Sequence, residues 1–142
     1  MKDFEYYIGK GEVKKQSPDA NFAASLIQDA VQRFKYASGA KPDEKSAKYI
    51  YEDIYDSLRE AIDSLLALRG FKSYSHVASI SFLKQFDFSY DEMDSLERMR
   101  KRRNGMKYYG KTCSVAETKA AIELAREMLR KLQKIFARMK KK

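Results

Sequence analysis

Ser46-Ala47-Lys48-Tyr49-Ile50-Tyr51-Glu52-Asp53-Ile54-Tyr55-Asp56-Ser57-Leu58-Arg59-Glu60-Ala61-Ile62-Asp63-Ser64-Leu65-Leu66-Ala67-Leu68-Arg69-Gly70 places Ile or Leu at 50, 54, 58, 62, 65 and 68. Steps of four and three lay these side chains along one side of a helix, and a strand would need strict alternation. Gly70 stands where a helix most often turns left-handed and ends. A helix of this length with one apolar side needs other helices to cover it.

Upstream, Ser17-Pro18-Asp19 reads as a helix start, with Ser17 as the cap and Pro18 where a missing N–H does no harm. Phe22, Leu26, Ile27, Ala30, Val31 and Phe34 follow at helical spacing, and Gly39 offers a stop. Phe4-Glu5-Tyr6-Tyr7-Ile8 is a candidate short helix limited by Gly9 and Gly11. Downstream, Phe71-Lys72-Ser73-Tyr74 reads as a loop, and a short helix carries Val77, Ile80, Leu83 and Phe86. Ser89-Tyr90-Asp91-Glu92 and Ser114-Val115-Ala116-Glu117 are two capping boxes, each opening a further helix. The last helix runs to about Met139, and its apolar face (Ala121, Ile122, Ala125, Met128, Leu129, Leu132, Ile135, Phe136, Met139) is wide enough to predict sharing with a second copy. The fold class expected is all-α: one domain over residues 1–142, an up-and-down bundle of four to five helices. Its core is expected over about 17–139, and Lys140-Lys141-Lys142 form a basic tail.

Composition narrows the function classes. Twenty-nine Lys and Arg against twenty Asp and Glu give a formal charge of +9, which favours a polyanionic partner or serves solubility alone. No apolar run approaches a bilayer span and no signal peptide opens the chain, so a cytoplasmic protein without membrane attachment is expected. Cys113 is the sole cysteine, which excludes an internal disulfide and a cysteine-based zinc site. Neither HExxH, a phosphate-binding glycine loop nor GxSxG occurs, and no metal or cofactor is expected.

Arg98 to Lys111 holds seven cations and no acid. Most of them suit the C-terminal end of a helix, where the dipole favours positive charge. Arg103 does not fit that account, because Glu92, Leu96, Met99, Arg103 and Met106 form the inward stripe of their helix. A guanidinium on the core side must have a partner. Either it closes a buried ion pair with Glu52, Asp53, Asp56 or Glu60, or it lines a cleft and receives a phosphate. Arg100 and Lys107 lie one turn before and after it, so the three can converge on one anion. Tyr108 and Tyr109 beside these cations can stack on bases or pack the bundle end. His76, the only histidine, is either a packing residue at a helix start or a general base.

The run Arg100-Lys101-Arg102-Arg103-Asn104-Gly105-Met106-Lys107-Tyr108-Tyr109-Gly110, followed by a capped amphipathic helix, resembles the HEPN domain (higher eukaryotes and prokaryotes nucleotide-binding domain). The helix Tyr51 to Ala61, ending in Leu68-Arg69-Gly70-Phe71-Lys72-Ser73-Tyr74-Ser75-His76, resembles the family's other long helix, and the likeness covers roughly residues 20–138. It implies a helical bundle, commonly a homodimer, with the arginine motif facing a cleft at the interface. It further implies either a metal-independent endoribonuclease, often a toxin, or a non-catalytic RNA- or nucleotide-binding protein, in some cases partnered by a small nucleotidyltransferase. Carried over, the catalytic positions are Arg103, Asn104 and Tyr108, and the nucleic-acid-binding ones Arg100, Arg103, Lys107, Tyr109 and Lys111. The family's motif histidine falls on Tyr108 or Tyr109, and neither is histidine. A phenol with a pKa near ~10 is a poor base at neutral pH, so binding without efficient cleavage is the expectation.

Overall fold

A computed structural model describes residues 1–141. Six α-helices and one two-stranded sheet are found among them: α1 (Phe4–Gly9), β1 (Val13–Lys15), α2 (Ala20–Gly39), α3 (Ala47–Arg69), β2 (Phe71–Ser73), α4 (His76–Ser81), α5 (Tyr90–Tyr109) and α6 (Val115–Lys140). A 3-10 turn, Phe82–Gln85, follows α4. The all-α class holds, with four long helices and two short ones.

The α2–α3 hairpin is the closest pairing in the molecule. Ala23, Ile27, Ala30, Phe34 and Ala37 are the buried residues of α2, alternating small and large in steps of four and three. Facing helix α3 buries Ser57, Ala61 and Ser64 among its larger residues. Both serine hydroxyls are satisfied within their own helix, Ser57 donating to the Ile54 carbonyl and Ser64 to that of Ala61, each at 2.6 Å. They therefore behave as small, self-satisfied core residues. At the far end the Asp19 amide donates to the Ala67 carbonyl at 3.1 Å, which makes the two helices antiparallel.

Helix α6 covers another side of α3. The Thr118 hydroxyl donates to the Ala47 carbonyl at 2.9 Å, bringing the two N-termini together. Lys131 pairs with Glu92 at 2.9 Å and Arg102 with Glu117 at 2.7 Å, so α5 and α6 run in opposite directions. Both expected capping boxes are formed, at Ser89/Glu92 and Ser114/Glu117. Eight of the nine apolar residues on that face of α6 are buried within the single chain, and Met139 is partly buried.

Three details differ from the sequence reading. Asp19, not Ser17, caps α2, accepting from the Phe22 amide at 2.9 Å. Residues 71–73, expected as loop, pair antiparallel with 13–15 (Val13 opposite Ser73, Lys15 opposite Phe71). The core also begins before residue 17, since Phe4, Tyr7 and Val13 are buried, and Phe4 packs edge-on against Phe71 and Phe82 at 5.1 and 4.9 Å. A three-residue strand is too short to show alternation, which is why these segments carried no strand signal.

Gly70 ties these parts together. Its φ is +80°, its carbonyl accepts from Gln16 at 2.8 Å, and a Cβ there would lie 2.5 Å from the Gln16 carbonyl oxygen. Left-handed backbone costs an L-residue about 1–2 kcal/mol before any clash. Gly70→Ala is thus expected to destabilise the fold by at least about 1–2 kcal/mol in urea melts, whereas Gly39→Ala, with open space around it, does not.

Candidate functional site

Helix α4 is fastened to α3 by its polar groups. Ser75 caps it, accepting from the Ala78 amide at 3.3 Å, and the Ser79 hydroxyl reaches both the Ser75 carbonyl, at 3.1 Å, and Asp63 on α3, at 3.5 Å. This fixes His76, the first residue of α4, over the ring of Tyr55: the planes are 7° apart with centroids at 5.8 Å. Nδ1 of His76 lies 3.1 Å from the Tyr55 hydroxyl, and Nε2 contacts the Arg59 guanidinium. A guanidinium can only donate, so Nε2 carries the lone pair and Nδ1 carries the hydrogen, which it donates to Tyr55.

Helix α5 brings the basic cluster to the same place. Arg103 is 6% exposed, as its position in the apolar stripe requires. Its terminal nitrogens donate to Asp56 at 3.2 Å and to Asn104 Oδ1 at 3.3 Å, and its Cζ stands 5.9 Å from the centre of the Tyr55 ring. Asp56 is one of the four partners the sequence offered. The pair is not sealed, because the Asp56 side chain is 35% exposed. Arg100, one turn earlier, is held by Glu97, with Nε donating at 2.9 Å. Lys107, one turn later, is exposed.

Among the described residues three buried polar atoms lack any hydrogen-bond partner, and all belong to this cluster: Nε of Arg103, Nε of Arg59 and Oε2 of Glu97. Buried polar groups are almost always satisfied. All three lie where α5 meets α3 and α4.

The electrostatics follow from the crowding of cations. Burial, then Arg59, Arg103, Arg100 and Lys107 in that order, push His76 down to about 4, so it is neutral at physiological pH. Burial holds the Tyr55 hydroxyl far above the ordinary phenol range, so it stays protonated. Burial also raises Asp63 to about 6, although Arg59 opposes this from 3.8 Å. Four cations (Arg59, Arg100, Arg103, Lys107) therefore face Asp56, Glu97 and a weakened Asp63. A second titrating carboxyl, Glu60, is raised to about 7 by burial and by Asp29, but it lies with Arg33 toward α2.

The expected site residues divide into two groups. Arg100, Arg103, Asn104 and Lys107 come together beside α3 and α4. Tyr108 and Tyr109 are 63% and 78% exposed, with Tyr108 touching Lys107 rather than Arg103; five residues carry it about 140° around the helix axis from Arg103. Lys111 lies on the other side of α5, in a hollow of about 350 Å³ lined by Arg98, Lys101, Arg102, Gly105 and Lys111. Arg102 is neutralised there by Glu117, which it holds down to about 2. Arg59 was not singled out from the sequence, and His76 was weighed only as a packing residue or a base. The signal for Arg59 was a ladder of polar groups on α3, Tyr55, Arg59 and Asp63, at four-residue spacing.

Among the described residues no three of His, Cys, Asp or Glu are grouped to hold a metal ion, and no helix is long and apolar enough to cross a membrane. Compared with protein-family models, curated proteins and solved structures, the chain matches none.

His76 gives the site a pH signature. Its folded pKa, about 4, lies below its ordinary 6.5, so between these values the unfolded chain binds the extra proton. Stability contributed by neutral His76 is present above pH 6.5 and is lost as pH falls through 4. Urea melts from about pH 4 to 6.5 should show the stability difference between the protein and His76→Gln growing with pH; a constant difference would contradict the assignment.

Proposed function

We propose that the chain is a HEPN-type helical module that binds RNA or a nucleotide by its phosphates, at the face where α5 meets α3 and α4. The observation that carries this reading is Arg103, nine-tenths buried yet with Nε unpartnered, amid Arg59, Arg100 and Lys107. Breaking even a partly buried ion pair is costly, and an apolar side chain would fill the same space more cheaply. A guanidinium retained there is explained by an anion that its planar fork suits. The Arg103-Asn104 pair and the helices on either side support the same reading through the family resemblance. That resemblance also brings the rest of the proposal: a homodimer, acting as a regulatory or toxin–antitoxin-type component beside a small nucleotidyltransferase.

The alternative is a weak metal-independent endoribonuclease at Arg103, Asn104 and Tyr108. The Arg103–Asn104 hydrogen bond favours it. Tyr108 counts against it, being turned away from Arg103 with no base of suitable pKa in its place. Total RNA incubated in EDTA beside Arg103→Ala separates the two readings: cleavage lost with the substitution establishes the enzyme, and intact RNA the binding module.

Binding to a fluorescent oligouridylate should fall steeply with salt, with a log–log slope of about −2 to −3 if three or four phosphates are held. Arg103→Met and Arg100→Gln should each weaken it about tenfold, the loss expected for one charge-assisted contact. Lys111→Gln should leave affinity unchanged. Salt-insensitive or absent binding would overturn the reading. Arg103→Met is also expected to be as stable as the unmodified protein within about 1 kcal/mol, or more stable. A monomer mass by light scattering at micromolar concentration would remove the homodimer from the proposal.

A further inference from the structure

Of the three arginines at this face, Arg59 is the least firmly held. Arg100 is fixed by Glu97, and Arg103 by Asp56 and Asn104. Arg59 has a buried Nε without a hydrogen bond, a 3.8 Å approach to Asp63 four residues on, and a contact to neutral His76. A guanidinium bonds an anionic oxygen about twice as strongly as a neutral acceptor. A phosphate arriving at this face therefore competes well for Arg59, and the acceptor it leaves behind is the Nε2 lone pair.

We propose that a phosphate bound between Arg59, Arg100, Arg103 and Lys107 draws Arg59 off His76, whose Nε2 then takes a proton from solvent and becomes a charged donor to the same ligand. Nδ1 keeps its hydrogen on the Tyr55 hydroxyl throughout, so the step takes up at most one proton per phosphate seated, and the full proton only below the raised midpoint. This rests on the phosphate-binding reading above and adds the coupling to it. Two changes act in the same direction: the cation capping Nε2 leaves, and the ligand's negative charge offsets the repulsion that, after burial, keeps the imidazole neutral.

The groups that face His76 are Tyr55, Asp56, Arg59 and Asp63 from α3, and Glu97, Arg100, Arg103 and Lys107 from α5. Lys72 of β2 and Glu5 of α1, elements that also touch α4, are exposed. Asp63 titrates in the same range, and its protonation loosens Arg59 further. Affinity alone would mix these contributions, so the test reads His76 itself.

Because the chain has one histidine, its imidazole gives a single resonance pair in a proton NMR spectrum. The probe is a hydroxyl-terminated oligouridylate, whose phosphodiesters do not titrate in this range. Without it the His76 midpoint should lie at about 4. With saturating probe the midpoint should rise by about two units, and the probe should then bind about tenfold more tightly at about pH 5 than at about pH 7. In His76→Asn the tenfold difference should shrink to that of the carboxylates alone. In Arg59→Gln the midpoint should already be raised without probe, and the probe should move it less. Salt-sensitive binding with an unmoved His76 midpoint would overturn the coupling and leave the binding reading standing. No binding at either pH would overturn both.

Discussion

Helix α3 has to satisfy neighbours on nearly every side. Helix α2 takes the small-residue seam, α6 takes another apolar side, and β2, α4 and α5 close against the remainder. A helix enclosed in this way has few directions in which polar side chains can point. Tyr55, Asp56, Arg59 and Asp63 share the one edge that α4 and α5 cover incompletely. Its polar character follows from α3 being the hub of the bundle, and whatever α5 presents there must be matched to it.

What α5 presents is charge of the wrong kind for a core. Its stripe runs through Leu96, Met99 and Met106, all buried, and Arg103 breaks it at the level of Asp56. Two hydrogen bonds above 3 Å and an unpartnered Nε are a poor return for desolvating a guanidinium. Burial, and after it the same crowding, keeps His76 neutral, because a proton added there would be poorly solvated and would meet four cations. On the proposed reading, stability and ligand affinity pull against each other at this edge.

Much of this was legible in the residues. The helix spans, both capping boxes and the left-handed Gly70 follow from local chemistry, which sequence carries directly. The buried position of Arg103 followed from the four-and-three stepping of its neighbours, and Asp56 was among its candidate partners. Arg59 and His76 were harder. Each is innocuous within its own segment, and their meeting depends on how far α4 rotates as Phe4, Phe71 and Phe82 pack beneath it. The separation of Lys111 from Arg103 depends likewise on α5 continuing through Asn104 and Gly105 as an unbroken helix, although both are weak helix formers.

The alanine and serine seam between α2 and α3 bears on the order of assembly. Its two helices are neighbours along the chain, joined by a short connection, so bringing them together closes only a small loop. Contacts of low sequence separation are the quick ones to form. Both of its helices also emerge from the ribosome ahead of α5 and α6. Helix α3 is in this way furnished with a rigid backing early, and the later helices close over a strut that already holds its polar edge at a set angle.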